Sequence, residues 1–332
     1  RQRQMCIRDS PLGFPWETED PFLFCVHHLD HYPKGNSDMG PDASLSGRPL
    51  GNDFEIKDGW RMYHGTTIPG FPSHPHRGFE TITIVTKGYC DHSDSLGASA
   101  RFGNGDVQWM TAGRGVQHSE MFPLLREDAP NTLELFQIWL NLPAAKKMAE
   151  PHFKMLWNKD IPQISDSGWE LRLISGLFSG KQGPEAPPDS WAADPDNGVL
   201  IALVSLEPGA VFEIPAASKD SNRRIFMLEG GEIDLGGQTL QTGLGAKLPA
   251  SSLTLKNDAG NARFLWLEGK PISEPVAKYG PFVMNDSDEI QRAMNEYQLT
   301  RFGGWPWPYP DNVHPREKGR FAQYPDGKII EP

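Results

Sequence analysis

Short apolar runs, many of them alternating with polar residues and separated by glycine-rich turns, recur along the chain. In the segment 60–142 these runs are WRMYHGT, ETITIVTKG, ASARFGNGDVQWMTAG and LELFQIWLNL. Many short strands joined by glycine turns are typical of a sandwich or a barrel. An earlier run at 21–29 predicts a strand, and the turn-rich residues after it predict a long loop. The first part of the chain is therefore predicted to be all-β.

A second group of strand-like runs follows Pro143 and Pro151, and these two prolines suggest a domain boundary near residue 145. The second group repeats the plan of the first, because TIVTKG and NGDVQWMTAG are echoed by IFMLEGG and TGLGAKLPA. An internal repeat of this kind predicts two barrels built alike. If the two barrels were stacked, each would cover edge strands of the other.

The segment after residue 285 contains a helical pattern. Any residue of 285–287 can cap the N-terminus of this helix, and Ile290, Met294 and Tyr297 share one face. The proline-rich WPWPYP that follows predicts an extended strap. We therefore expect three parts, namely an N-terminal barrel at 11–145, a C-terminal barrel at 146–285, and a helix with an extended tail at 286–332.

Composition narrows the choice of partners. The 332 residues carry a net charge of −11, and 38% of them are hydrophobic. No apolar run approaches the ~20 residues that are needed to cross a bilayer. Direct binding of nucleic acid requires a basic face, which an acidic chain disfavours. We therefore expect neither a membrane nor a nucleic acid as a direct partner.

The first ten residues, RQRQMCIRDS, lack the hydrophobic region of a secretory signal and look like the translation of a sequencing adapter. We expect them to be an artefact. Without them the chain has two cysteines, Cys25 and Cys90. Two cysteines in so long a chain do not form a disulfide framework, so we expect a reducing, cytoplasmic location.

Four residues with metal-binding side chains stand in two pairs, each with one residue between its members. The pairs are His74 with His76, and His118 with Glu120. Residues two apart on a strand point to the same face, so each pair is directed to one side. If a barrel brings the two strands together, three imidazoles and a carboxylate converge. Such a set suits a transition metal with positions open to a substrate.

Glu80 is a further candidate for the carboxylate ligand of the metal. Glu80 lies four residues beyond His76, so it is expected on the same strand face, where it could compete with Glu120. The alternative for Glu80 is a hydrogen-bond acceptor near the site or a salt bridge to Arg77 or Arg114.

The remaining histidines have simpler explanations. His64 and His92 each stand alone, and His92 lies in DHSDS, where a hydrogen bond in a turn is expected. His27, His28 and His31 form a cluster that we expect to be hydrogen-bonded or solvated on a strand edge and its loop.

The second half of the chain lacks the same chemistry. No histidine lies between His152 and His314. If the internal repeat holds, the positions that correspond to the three candidate histidines fall near Ala216, Ser218 and Lys256. A cationic lysine among residues that do not bind metals cannot hold a divalent ion, so we expect no metal in the second barrel.

Several motifs resemble the pirin family of the cupin superfamily, namely HPHRGFETIT, GDVQWMTAGRGVQHSEM, GPFVMN and TRFGGWPWP. The resemblance implies two cupin barrels packed face to face, with one Fe(II)-type site in the N-terminal barrel. Mn, Ni, Co, Cu and Zn are alternatives to iron as the bound metal. The resemblance places the metal ligands at His74, His76, His118 and Glu120, whereas the usual cupin glutamate ligand would fall on Glu80. The loop at 34–53 and the tail beyond residue 302 depart from shorter pirins.

The resemblance also implies a function, the O2-dependent cleavage of a flavonol such as quercetin. Glu120 would then be catalytic and would accept the proton of a flavonol hydroxyl. Phe79, Trp109, Met110 and Phe122 are candidates to line the pocket or, alternatively, are core residues. A second hypothesis is a non-catalytic, iron-dependent redox sensor that binds a protein partner. We expect a monomer in either case.

Overall fold

The computed structural model describes residues 8–332 except residue 14, and within them the protein is all-β, as predicted. The strands in chain order are β1 (Arg8–Pro11), β2 (Phe22–Tyr32), β3 (Gly70–His76), β4 (Phe79–Lys87), β5 (Tyr89–Asp94), β6 (Ser99–Gly103), β7 (Asp106–Thr111), β8 (Val116–Met121), β9 (Asn131–Asn141), β10 (His152–Leu156), β11 (Gln163–Asp166), β12 (Trp169–Ser175), β13 (Leu177–Phe178), β14 (Lys181–Gln182), β15 (Leu200–Leu206), β16 (Val211–Ile214), β17 (Asn222–Glu229), β18 (Glu232–Leu235), β19 (Thr239–Gln241), β20 (Leu244–Lys247), β21 (Leu253–Lys256), β22 (Ala262–Gly269), β23 (Ala277–Tyr279), β24 (Phe282–Met284), β25 (Phe321–Gln323) and β26 (Ile329–Ile330). The described residues also form one α-helix, α1 (Ser287–Thr300), and short 3-10 turns at Ala144–Lys146, Asn158–Asp160, Trp191–Ala193, Pro195–Asn197 and Arg301–Gly303.

The chain divides into two compact units. The histidine unit comprises residues 27–137, 142–158 and 274–332. The apolar unit comprises the described residues before 27, together with 138–141 and 159–273. Residues 1–7 of the expected adapter segment lie outside the described residues, and β1 pairs with β20. The boundaries expected at 145 and 285 stay a prediction of domain organisation.

The histidine unit contains two large sheets, besides the small hairpin of β23 and β24. Their strand orders are β10-β7-β4-β9-β2 and β26-β25-β6-β5-β8-β3. Buried apolar side chains, among them Phe102, Leu135 and Met155, form a hydrophobic core in this unit. The long segment between β2 and β3, which is described throughout, consists of turns and isolated bridges. The loop predicted after residue 29 is confirmed, whereas the strand-like run WRMYHGT at 60–66 forms only isolated bridges, at Trp60 and Tyr63.

The apolar unit has the same strand plan. Its order β20-β17-β22-β15 corresponds to β7-β4-β9-β2, and its order β19-β18-β21-β16 corresponds to β6-β5-β8-β3. The internal repeat predicted from the sequence is thus confirmed at the level of topology. The core of this unit is apolar and includes Phe212, Phe264 and Trp266. The same strand plan therefore holds a group of histidines in one unit and an apolar core in the other.

Helix α1 forms as predicted, with Asp286 as its cap. The Asp286 carboxylate accepts a hydrogen bond of 2.8 Å from the backbone N–H of Glu289, which satisfies one of the free donors of the first turn. Ile290 and Ala293 are buried, and Met294 and Tyr297 pack beside them. Within the described residues, no helix has both the length and the apolar character that a membrane crossing requires.

Within the histidine unit, a buried ion pair holds the C-terminal tail against β5 and β6, and we call this pair the tail clasp. Arg101 and Asp91 are fully buried, and two guanidinium nitrogens of Arg101 lie 2.7 Å from the two carboxylate oxygens. Arg101 also donates to the backbone carbonyls of His314, Pro315 and Lys318 at 2.9, 2.9 and 2.7 Å. The carbonyls supply acceptors for a buried cation, so the clasp ties the tail to β5 and β6.

Candidate metal centre

Strands β3 and β8 bring the candidate histidines together. The two strands pair antiparallel with His74 opposite His118 and His76 opposite Val116. The ligand nitrogens of His74, His76 and His118 all lie within 4.8 Å of one another. Two ligands on one ion at ~2.1 Å are at most about 4.2 Å apart, so the rings need only a small inward shift to share an ion. We call these three residues the histidine cluster.

The hydrogen bonds of the cluster fit a divalent transition metal. The Nδ1 atoms of His74 and His76 lie 2.8 Å from the Pro72 carbonyl and 3.4 Å from the Pro281 carbonyl. If each Nδ1 carries the proton and donates to the carbonyl, Nε2 keeps a lone pair for a metal. His118 is fully buried, and neither of its ring nitrogens has a hydrogen-bond partner. Buried polar atoms without partners are costly, and a bound ion would remove this cost for one of the two nitrogens.

Burial also favours the neutral form of these imidazoles. Desolvation lowers the pKa of His76 and His118 well below the ordinary value, and the neighbouring histidines lower the pKa of both further. The pKa of His74 is lowered as well, again chiefly by burial. A neutral imidazole is the form that binds a metal, so few protons compete for the cluster near neutral pH.

Glu120 lies beside the cluster, on the same strand as His118. Its Oε2 atom is 3.8 Å from the Nε2 atom of His118. The carboxylate accepts hydrogen bonds from the Thr83 hydroxyl at 2.8 Å and from the Gln137 side-chain amide at 2.6 Å. Because a carboxylate oxygen has two lone pairs, these bonds leave room for a metal. The structure thus brings three imidazoles together and places one carboxylate beside His118.

Two family models match the two halves of the chain. The pirin model matches residues 48–140, and the model of the pirin C-terminal cupin domain matches residues 201–303. The chain belongs to the pirin family. The resemblance noted in the sequence motifs is therefore confirmed, and both the cluster and its carboxylate lie within the first match.

Individual relatives agree with this assignment. A Pseudomonas aeruginosa protein that is named provisionally as a quercetin 2,3-dioxygenase is 36% identical over 239 residues, which cover 70% of this chain and 79% of the relative. Pirin-like protein 2 of Arabidopsis thaliana is 36% identical over 246 residues, covering 70% and 71%. The crystal structure of a quercetin 2,3-dioxygenase from Acinetobacter baumannii is similar with a TM-score of 0.69 and 29% identity, covering 86% of each chain.

In this pirin, Glu80 does not compete with Glu120, and the expectation that it shares a face with His76 was wrong. Strand β3 ends at His76, and a turn at Gly78 begins a new strand. Gly78 has a φ of +88°, and a Cβ there would lie 1.9 Å from a backbone carbonyl oxygen, so the turn requires glycine. Because side chains alternate along β4, Glu80 faces away from the side that carries Thr83. Glu80 accepts a hydrogen bond of 2.7 Å from Thr111.

His92 is closer to the cluster than the sequence suggests. It lies in β5 opposite Glu120 rather than in a turn, and its ring centre is 5.5 Å from that of His118. Its Nε2 atom is 3.0 Å from the carboxylate of Asp94, which holds the ring in place. His64 is exposed, and its Nδ1 atom lies 2.7 Å from the carbonyl of Gly51.

The early histidine cluster has the structural role that we expected. The Nε2 atom of His27 is 3.0 Å from the carboxylate of Glu134, and His28 is buried with its Nδ1 atom 2.8 Å from the Tyr63 hydroxyl. His31 is exposed. These three side chains therefore do not converge on one point.

The four aromatic and apolar candidates for the pocket separate into different environments. The Phe79 ring packs edge-on against His76, with centres 5.1 Å apart. Met110 is fully buried near Val116, and Phe122 belongs to the apolar core of the histidine unit. Trp109 is adjacent to Met110 in β7, so it points to the opposite face of the sheet. Phe79 is the candidate in direct contact with the cluster, and Trp109 does not face the site.

The lowered histidine pKa values predict a pH-dependent stability in the presence of a chelator. The unfolded chain has ordinary histidine pKa values near 6.5, so it takes up protons before the folded protein does as the pH falls. The free energy of unfolding should therefore be constant above about pH 6.5 and fall below it, by about 1.4 kcal/mol per pH unit for each extra proton.

Urea unfolding between about pH 7.5 and about pH 5.5 measures this slope. The matched control is His118→Gln, which removes one of the buried titrating groups and should give a shallower slope. An equal slope in the two proteins would contradict the assignment.

Proposed function

We propose that this pirin is a metal-dependent dioxygenase that cleaves a flavonol such as quercetin with O2. The proposed ligands are His74, His76, His118 and Glu120, and Fe(II) is the proposed native metal. The observation that carries the proposal is the convergence of three imidazoles of lowered pKa, with a carboxylate beside them. Similarity to the Acinetobacter quercetin 2,3-dioxygenase supports the substrate class.

The bound metal would supply Lewis acidity that favours the ionised form of a flavonol hydroxyl. The Glu120 carboxylate lies beside the cluster and can accept the proton of that hydroxyl. Phe79 covers one side of His76 with an apolar ring and helps to keep water away. The histidines hold their neutral form through burial, so they do not compete with Glu120 for the proton.

We propose further that the metal is confined to the N-terminal barrel at 11–145 and that the barrel at 146–285 carries none. The apolar core of the second barrel supports this division, since Phe212, Phe264 and Trp266 occupy its interior. Apolar side chains provide no ligand atoms for a divalent ion.

Quercetin turnover tests the activity directly. Protein purified in a chelator and reloaded with Fe(II) should remove the visible absorbance of quercetin in the presence of O2. The same protein without metal, and Fe(II) without protein, should leave most of the absorbance. If no loss above these controls occurs with Fe, Mn, Ni, Co, Cu or Zn, the dioxygenase proposal fails, and a non-catalytic role in binding a protein partner becomes the better hypothesis.

A further inference from the structure

Thr83, Glu120 and Gln137 form a closed ring of short polar contacts next to the histidine cluster. The Thr83 hydroxyl oxygen is 2.8 Å from Glu120 Oε1 and 2.8 Å from Gln137 Oε1. The Gln137 amide nitrogen closes the ring at 2.6 Å from Glu120 Oε2. Thr83 and Glu120 are buried, and the three residues come from β4, β8 and β9. Three different strands therefore fix the carboxylate.

The two oxygens of Glu120 are held differently. Oε2 is the oxygen 3.8 Å from His118 Nε2, and the Gln137 amide donates to it. The hydrogen bond from the Gln137 side-chain amide therefore directs Oε2 toward the cluster, as hydrogen bonds to metal-binding carboxylates do. Without it, a glutamate side chain would be free to rotate away from the site, because it has several rotatable bonds.

Oε1 of Glu120 accepts its hydrogen bond from the Thr83 hydroxyl, which also lies close to a second acceptor. The Thr83 hydroxyl has one hydrogen but two oxygen neighbours, Glu120 Oε1 and Gln137 Oε1. It can donate to only one of them at a time. When the hydroxyl turns to Gln137, Oε1 loses that hydrogen bond while Oε2 stays bound to the amide. Rotation of one hydroxyl thus changes the partner of one carboxylate oxygen and leaves the other oxygen in place.

We propose that Thr83 and Gln137 are positioning residues for Glu120. Gln137 orients Oε2 of Glu120 toward the metal. Thr83 determines, by donating or not donating its hydrogen bond, how freely Oε1 can interact with the substrate. This inference rests on the proposed function for its effect on turnover. Its effect on the metal environment is independent of turnover, so the two can be tested separately.

The test compares Thr83→Val and Thr83→Ser with Gln137→Met. Valine and methionine keep the approximate shape but remove the donor, whereas serine keeps the hydroxyl. Thr86→Val is the matched control, because the Thr86 hydroxyl lies in the same strand and donates to a different glutamate, Glu134, at 2.6 Å. Each protein is loaded with Co(II), its visible absorption spectrum is recorded, and kcat and KM for quercetin are measured in the Fe(II) form.

Thr83→Val and Gln137→Met should alter the Co(II) spectrum and lower kcat by about 10–100-fold, with KM changed by less than about threefold. Thr83→Ser and Thr86→Val should keep the wild-type spectrum and kcat. A wild-type spectrum in both Thr83→Val and Gln137→Met would overturn the inference, as would a Thr83→Ser protein that behaves like Thr83→Val. If the wild type shows no turnover but the spectra change as expected, the positioning role stands and the dioxygenase proposal fails.

Discussion

Replacing His118 with alanine is expected to abolish divalent metal binding and flavonol turnover together. The centre of the His118 ring lies 4.5 Å from that of His74 and 4.9 Å from that of His76, so His118 contacts both other members of the cluster. Its loss leaves two imidazoles and the Glu120 carboxylate, and the affinity for a divalent ion should fall at least ~100-fold, below what survives dialysis. Elemental analysis of the dialysed protein and quercetin turnover measure the two effects.

His31→Ala is the control for this variant, because His31 is exposed and lies outside the cluster. It should bind metal and turn over quercetin as the wild type does. Thermal unfolding of all three proteins in a chelator shows whether His118→Ala still folds. A folded His118→Ala protein that retains one equivalent of metal would contradict the proposed site. Turnover without metal would contradict the proposed chemistry.

Replacing Asp91 with alanine is expected to lower the free energy of unfolding by about 3–5 kcal/mol. Asp91 is the anionic partner of Arg101 in the tail clasp, and both side chains are fully buried. Its carboxylate also accepts a hydrogen bond of 2.8 Å from the backbone N–H of His314. The variant therefore leaves a buried cation without its counterion and frees a backbone donor. Urea unfolding measures the loss.

Asp128→Ala is the matched control, because Asp128 and Arg126 form an ion pair at 3.7 Å that is largely exposed. An exposed pair contributes little, so this change should cost less than about 1 kcal/mol. The double variant Asp91→Leu with Arg101→Met should recover part of the stability, since it removes both charges. Equal losses in Asp91→Ala and Asp128→Ala would show that the clasp is not a source of stability.

Much of the fold could be predicted because it follows from local patterns. Alternation and glycine turns predicted the strands, and the echo between TIVTKG and IFMLEGG predicted the repeated plan that β4 and β17 share. The spacing of His74 and His76 placed both side chains on one face of a strand, and the structure brings them to His118. Helix α1 could be predicted from its cap and its apolar face.

Contacts between distant segments could not be predicted in the same way. The prediction for Glu80 assumed one continuous strand, and the turn at Gly78 broke that assumption. Thr83 and Gln137 are 54 positions apart in the sequence, and nothing near either residue indicates that they meet at Glu120. A threonine and a glutamine within strands are too common to be recognised as partners of a candidate metal ligand.

The tail clasp has a consequence for how the protein is made. Arg101 donates to the carbonyl of His314, which lies 213 positions later in the chain. At a synthesis rate of about 5–20 residues per second, a ribosome would need roughly 10–40 s to join these two residues. During that interval the nascent histidine unit would hold Arg101 and Asp91 without the backbone that later encloses them. The histidine unit would therefore be completed only after residues 159–273 of the apolar unit have been synthesised.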